Sequence, residues 1–232
     1  MHVLLTRPLE DSIDLIKRFK DKDITVSHLP LIKINKLDYP KLKSSEYNVI
    51  VFTSSNAIRN LNTKDFNKNT PCFCVGDATE KKARSSGFQN VIAAEGNVEN
   101  LKELILQNFD KKNGSLLYVS GEIISSNLDQ DLLKEGYNIK RIVNYKVNHN
   151  KKFDPYFIDT LRKNIPDIVY IYSQNTALSF LDFIKTNGLE TVWMDTNLMC
   201  IGEKASSILN EIKWKKIFLF NPGEEEFLLY KI

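Results

Sequence analysis

Short apolar runs rich in β-branched residues alternate with amphipathic helical stretches almost from end to end of the 232-residue chain, and that order constrains its fold more than any other feature. The runs are HVLLT (2–6), ITVSHLPLIKI (24–34), NVIVFT (48–53), CFCVG (72–76), NVIAA (90–94), SLLYVS (115–120), NIKRIVNYKV (138–147), DIVYIYS (167–173), LMCIG (198–202) and KIFLF (216–220). Helical patterns lie near 9–20, 55–61, 78–86, 98–108, 123–135, 155–164, 176–187, 203–211 and 224–231. Strand, helix, strand, helix predicts an α/β fold built on parallel sheets covered on both faces.

Most strands end in small or polar residues that open the next helix. TRPLED places Pro8 near a first helical turn, DATEKKA and GNVENLKEL offer acidic or amide caps, and GEIISSNLDQDLL begins with glycine and glutamate. Thr6, Thr53, Gly76, Ser120, Ser173 and Gly202 therefore fall on one edge of their sheets, the edge where open parallel sheets bind ligands.

Two of these corners recur. FTSSNAIRNL aligns with YSQNTALSFL, and CVGDATEKKARSSG follows the first as CIGEKASSILNEI follows the second. Two strand-turn-helix units repeated in the same order imply two copies of one fold. The long runs 24–34 and 138–147, entered through KDKDI and KEGYNI, read as equivalent strands running out of one domain into the other. The first lobe is then discontinuous, residues 1–34 with 147–232; residues 37–137 make the second lobe, and 24–36 and 138–148 are the connector strands.

Composition narrows the function. Hydrophobic residues make up 42% and charged residues 26%, a globular balance, and the net charge of +3 has both signs interspersed. No basic stripe is present to neutralise nucleic-acid phosphates. The apolar runs fall well short of the roughly 20 residues that cross a bilayer, and MHVLLTRP lacks the features of a signal peptide. The reading is a cytoplasmic monomer with no membrane or nucleic-acid partner. Cys72, Cys74 and Cys200 read as buried structural thiols, and His2, His28 and His149 are scattered, so no metal is expected. CVGDAT and CIGEK have neither dinucleotide-binding nor P-loop spacing, which weakens a nucleotide or flavin reading.

The stretches VLLTRP, VIVFTSSNAI, CVGDATEKKARSSGFQNVIAAEGNVENLKELI, LLYVSGE with LDQDLLKEGYNIKRIVNYKV, YIYSQNTALSFL and CIGEKASSIL together resemble the uroporphyrinogen-III synthases, over essentially the whole chain. The resemblance implies two flavodoxin-like parallel-sheet lobes joined by a two-stranded connector. It also implies a cofactor-free lyase that converts hydroxymethylbilane into uroporphyrinogen III, with inversion of the last ring and loss of water, in transient contact with the preceding pathway enzyme. The chain departs from the family where Glu203-Lys204-Ala205 replaces a Thr pair and SQNT replaces a Ser-Pro-rich corner. A two-lobed small-molecule binding protein and an inactive synthase homologue are the rival readings.

The implied substrate carries several carboxylates, which helix N-termini can hold at roughly 0.3–1 kcal/mol per contact. Thr53, Ser54, Ser55, Thr79, Ser120, Gly121, Ser173, Gln174 and Asn175 lie at such ends, and each lobe would bring its polar corner to a shared anionic substrate. Thr6 and Gly202 share those edges, and Arg7 and Lys204 could pair with carboxylates. Tyr145 matches the tyrosine that the resemblance points to as assisting hydroxyl departure, while Tyr118, Tyr170 and Tyr172 read as sheet core.

Overall fold

The computed structural model describes residues 1–221, 224–226 and 229. It divides into two compact units, Met1–Lys33 with Asn148–Ile232, and Ile34–Val147. The chain passes from the first unit to the second within one strand (Ile32–Lys36) and returns within another (Asn138–His149), and these two strands are neighbours in one sheet.

The first unit holds β1 (His2–Leu5), α1 (Leu9–Lys20) and β2 (Thr25–His28) from the start of the chain. In α1 the buried positions Ser12, Leu15 and Phe19 recur at helical spacing, with Glu10 and Asp11 in the first turn and Lys17, Arg18 and Lys20 in the last, each sign complementing the helix dipole. The second unit holds β3 (Ile32–Lys36), β4 (Val49–Phe52), α2 (Ser55–Arg59), β5 (Cys72–Val75), α3 (Asp77–Ser85), β6 (Val91–Ala94), α4 (Val98–Asn108), β7 (Ser115–Gly121), α5 (Leu128–Lys134) and β8 (Asn138–His149), β3 and β8 being the two strands in which the chain crosses. The first unit is completed by α6 (Pro155–Lys163), β9 (Ile168–Ile171), α7 (Gln174–Thr186), β10 (Asn197–Cys200), α8 (Glu203–Ile208) and β11 (Lys216–Leu219).

The central strands of both sheets are buried on both faces. In the first unit Val3, Leu5, Ile168, Tyr170 and Met199 pack on one side while Leu4, Val169, Ile171, Leu198 and Cys200 pack on the other. In the second, Ile50, Phe52, Cys72, Cys74, Leu117 and Val119 oppose Val49, Val51, Phe73, Leu116 and Tyr118. Such runs have no polar face and are stable only as parallel strands between helical layers.

The first sheet runs β11-β10-β9-β1-β2, which is order 2-1-3-4-5 within its unit, the flavodoxin order. The second runs β3-β8-β7-β4-β5-β6, so its five core strands take order 3-2-1-4-5 with β3 added at one edge. The flavodoxin strand order thus belongs to the first unit alone, because an alternating sequence pattern encodes strands and crossovers but not their spatial order.

Register nevertheless shows one arrangement built twice. His2 pairs with Thr25 as Ser115 pairs with Asn138, and Val3 pairs with Ile168 as Leu116 pairs with Val49. After α1, Asp23 N–H donates to Lys20 and Ile24 N–H to Phe19; after α5, Gly136 N–H donates to Leu133 and Tyr137 N–H to Leu132. Ser54 and Ser173 cap α2 and α7, and Gly76 and Gly202 precede α3 and α8 with φ of 72° and 76°. The β1–α1–β2 segment therefore matches β7–α5–β8, and the β4-to-β6 segment matches β9-to-β11. Each unit combines a first-half piece with a second-half piece, so the same spatial order arises from permuted connections.

Local expectations shift in three places. The run 24–34 is not one strand: Pro30, which has no N–H to donate, separates β2 in the first sheet from β3 in the second. The helix expected from 123 begins at Leu128, after a loop that continues past Gly121. Asp77 does not cap α3; the preceding Gly76 holds the cap position, with no side-chain bond. The pattern at 224–231 lies largely outside the described residues.

The duplication yields a test of opposite signs. Asp23 (φ 56°) and Gly136 (φ 88°) hold the same left-handed position after their helices, where a Cβ costs roughly 1–2 kcal/mol. In urea unfolding, Asp23→Gly is expected to raise stability and Gly136→Ala to lower it, each by about 1 kcal/mol; the same sign for both substitutions would contradict the equivalence.

Candidate functional site

Every strand-end residue singled out in the sequence lies at the carboxyl edge of its own sheet, because all the registered pairings are parallel. In the second unit the chain leaves β4 towards β5 and β7 towards β8, so the direction of winding switches between the two adjacent strands β4 and β7. Such switch points open a crevice beyond the strand ends. Thr53 and Ser120 stand on either side of it, and the Thr53 hydroxyl shares a hydrogen bond of 3.1 Å with Tyr118 Oη. Ser54 Oγ accepts from the Asn56 N–H at 3.2 Å and is spent as a cap. Ser55 begins α2, whereas Thr79 is buried on α3.

Beside this corner the β7–β8 ladder slips. Ser120 pairs with Val143 but Gly121 pairs with Tyr145, leaving Asn144 as the extra residue of a bulge. Asn144 turns inward, is fully buried, and donates from Nδ2 to the Ala57 carbonyl of α2 at 2.7 Å. The slip also reverses the alternation that follows, so Ile142, Tyr145 and Val147 join one core face although their numbers do not alternate by two. Tyr145 is thereby laid across Gly121: a Cβ on that residue would stand 2.7 Å from the ring Cζ and 3.0 Å from the hydroxyl. Only glycine permits this approach. The Tyr145 residue is 8% exposed, and its hydroxyl bonds to none of the described residues.

Arg141 completes the corner. Its Nε donates to Ser120 Oγ at 2.7 Å and its Nη2 to the carbonyls of Gly121 at 2.8 Å and Glu122 at 3.1 Å. Burial pushes the Tyr118 phenol above its usual range, against the smaller opposing effects of the Thr53 hydrogen bond and the Arg141 charge. Thr53, Tyr118, Ser120, Gly121, Arg141 and Tyr145 thus form one polar corner.

The first unit has its own switch point, between β1 and β9. Here Thr6 is fully buried and its hydroxyl donates to the Tyr170 carbonyl, so that side chain joins strands rather than facing a ligand. The Arg7 guanidinium lies 4.1 Å from the centre of the Tyr172 ring, while its Nε is buried without a hydrogen-bond partner among the described residues. His28 Nε2 donates to the Arg7 carbonyl at 2.9 Å and steadies the turn. Burial holds the Tyr172 phenol well above its ordinary value. Ser173 caps α7 through the Thr176 N–H at 3.1 Å, leaving the N–H groups of Gln174 and Asn175 without an acceptor among the described residues. Gly202 precedes α8, and the exposed Lys204 forms no ion pair with the described residues.

The family model HEM4, Uroporphyrinogen-III synthase HemD, matches residues 13–219. The chain belongs to the uroporphyrinogen-III synthase family. These are enzymes that eliminate water in porphyrin and haem biosynthesis. The crystal structure of the uroporphyrinogen-III synthetase from Helicobacter pylori 26695 is similar with a TM-score of 0.65 at 20% identity, over 100% of this chain and 99% of that one. A mutant uroporphyrinogen III synthase from the extremely thermophilic bacterium Thermus thermophilus is similar with a TM-score of 0.56 at 12% identity, over 100% and 97%. At such identities the likeness carries the fold. A search of curated protein sequences returns no match.

Within this synthase-family chain the sequence reading missed Arg141 and Asn144, and placed Tyr118 in the core without its hydroxyl at the rim. The bulge that matters has no signature in NIKRIVNYKV beyond a break in alternation after Ile142. No described helix is long and apolar enough to cross a membrane.

The cysteines supply a test of what lies outside the corner. All three are buried, and burial pushes the Cys74 and Cys200 thiols up to about 12 and Cys72 higher still. A thiolate is the reactive form, so none should react with a disulfide reagent at pH 8 in the native protein. All three should react in denaturant; rapid native labelling of any one would show that its burial is wrong.

Proposed function

We propose that this chain closes hydroxymethylbilane to uroporphyrinogen III, with Tyr145 assisting departure of the terminal hydroxyl and the polar rims binding the substrate's carboxylates. The observation that carries the reading is the Tyr145 phenol, seated on Gly121 at a switch-point edge with no described hydrogen-bond partner. A phenol hydroxyl is suited to donate a hydrogen bond or a proton as the hydroxyl leaves. Loss of that group as water leaves an azafulvene; the substituted α-carbon of the last pyrrole attacks it, the bond from that carbon to its neighbouring methylene then breaks to leave a second azafulvene, and the ring's free α-carbon closes on that methylene and releases its proton. The net change is one ring closure and one water lost.

Orientation supplies the remainder. A flexible chain that can close in two ways is directed by which α-carbon of its last ring is held against the azafulvene, and well-aligned reactants gain several kcal/mol from this alone. Free N–H groups of Gln174 and Asn175, the unpartnered Arg7 Nε, and the corner of Thr53, Ser55, Ser120 and Gly121 are the groups proposed to hold the carboxylates. Lys204 is a further candidate, on an exposed position. Thr6, Ser54 and Ser173 contribute as braces and caps, and Thr79 through the packing of α3. The same proposal makes the enzyme a cytoplasmic monomer that meets the preceding pathway enzyme only transiently, in keeping with its small, mixed net charge.

Two variants test the assignment in an assay coupled to hydroxymethylbilane generation, with isomer analysis of the porphyrin formed. Tyr145→Phe is expected to lower kcat about 100-fold, in the ordinary range for general acid assistance, and to retain the type III isomer. Wild-type turnover would remove Tyr145 from its role. Arg7→Met is expected to raise KM about tenfold, the loss of one charge-assisted contact, with kcat little changed; an unaltered KM would remove Arg7 from substrate binding.

A further inference from the structure

We propose that Arg141 is a positioning residue for the Tyr145 phenol, an inference that rests on the role given to Tyr145 above. At the β7–β8 slip the ladder is interrupted, and backbone carbonyls at a bulge are left to find other partners. Arg141 supplies them. Its Nε binds Ser120 Oγ at 2.7 Å and its Nη2 binds the Gly121 and Glu122 carbonyls at 2.8 and 3.1 Å, so one planar fork fixes three consecutive residues. Ser120 Oγ in turn donates to the Gly121 carbonyl at 3.1 Å, which gives that oxygen two donors.

Those three residues are the seat of the phenol. The Tyr145 ring lies so close to Gly121 that a Cβ there would stand 2.7 Å from its Cζ, and the Tyr145 carbonyl accepts from the Glu122 N–H at 2.9 Å. Guanidinium, carbonyls, glycine and ring are therefore in unbroken contact. A neutral side chain at 141 would release the Glu122 carbonyl and leave the Gly121 carbonyl with Ser120 Oγ alone, and the ring would lose the rigid floor that fixes its hydroxyl. A lysine would not replace it, because a single rotating ammonium cannot bind an Nε-type and an Nη-type acceptor in fixed geometry. Hydrogen bonds from a charged donor are roughly twice as strong as neutral ones, which suits a group whose task is to hold backbone still. Arg141 sits on β8 four residues before Tyr145, and its register partner on β7 is Tyr118, so it acts from within the sheet edge.

The test is a double-mutant cycle on the full chain, comparing wild type, Arg141→Met, Tyr145→Phe and the double variant in the coupled assay. Arg141→Met is expected to lower kcat about tenfold with KM within about twofold, and to add less than about twofold once the Tyr145 hydroxyl is gone, as groups acting as a unit do. Millimolar guanidinium ion should recover part of the kcat of Arg141→Ala. Should Arg141→Met show no cooperative thermal transition, Arg141→Lys carries the same expectation. An Arg141→Met enzyme of normal kcat, a loss confined to KM as a carboxylate-binding arginine would give, or an undiminished loss in the double variant each overturns the proposal. A Tyr145→Phe enzyme of normal rate instead overturns the reading beneath it, so the two failures are told apart.

Discussion

One extra residue in a strand, Asn144, decides what the polar corner of the second unit can do. Without it β8 would continue its alternation and Tyr145 would turn to the opposite face of the sheet, away from Gly121. The slip is costly: Asn144 is fully buried, and its Oδ1 accepts no hydrogen bond, a lapse worth roughly 1–3 kcal/mol. Part is offset by its bond to the Ala57 carbonyl, which ties the bulge to the helix that begins at Ser55. A local fault kept in an otherwise regular sheet, beside the residues with free polar groups, is where strain is expected to coincide with chemistry.

The remainder of the fold serves that edge by removing polarity from everywhere else. The central strands of both sheets are apolar on both faces, and hydroxyls buried beside them are spent on backbone, as Thr6 is on Tyr170 and Thr196 is on Pro166. Arg7 Nε and the N–H groups of Gln174 and Asn175, which keep capacity among the described residues, lie where strands stop. This also explains how a chain of net charge +3 can be suited to a polyacid. Fixed N–H groups at strand ends need no counter-ion and lose no side-chain entropy on binding, whereas surface lysines do both and are screened within about 10 Å at ordinary ionic strength. A few such groups with one guanidinium, Arg7, held against Tyr172 favour a carboxylate by position rather than by net charge.

Much of the fold was legible because its signals are local. Each apolar run from HVLLT to KIFLF contains a strand or, for 24–34, parts of two, and α1 and α4 keep the bounds that periodicity assigned. Ser54 and Ser173 announced their caps by chemistry alone. What was not legible depends on long-range register. Strand order required knowing that β7 lies against β4 and β1 against β9. The loop before α5 and the inward turn of Asn144 are set by partners far away in sequence, and nothing in NIKRIVNYKV marks the Arg141 guanidinium as bound to Ser120, Gly121 and Glu122. The site was therefore readable as an edge carrying Thr53, Ser120, Gly121 and Tyr145, and the bulge and the Arg141 fork that arrange them were not.

The permuted duplication ties these observations together. The second unit is one continuous segment, Ile34–Val147, and can form its sheet without the chain ends. The first unit cannot: pairing Val3 with Ile168 joins residues from opposite sides of that segment. Closing so long a loop is less unfavourable than it looks, since the entropy rises only with the logarithm of length, about 0.6 kcal/mol per doubling, and a compact segment in between shortens it further. The exchange of halves therefore has a small energetic cost and one structural consequence. β8 becomes both an inner member of the second sheet and the return path to the first unit, which it enters at Asn148. Tyr145 stands just before that crossing, on a strand anchored at its start by the β7 ladder and at its end by the Asn150 N–H bond to Leu31 in the first unit. A phenol carried on a strand held at both ends loses little freedom when substrate arrives, which is the condition for orientation to set the product.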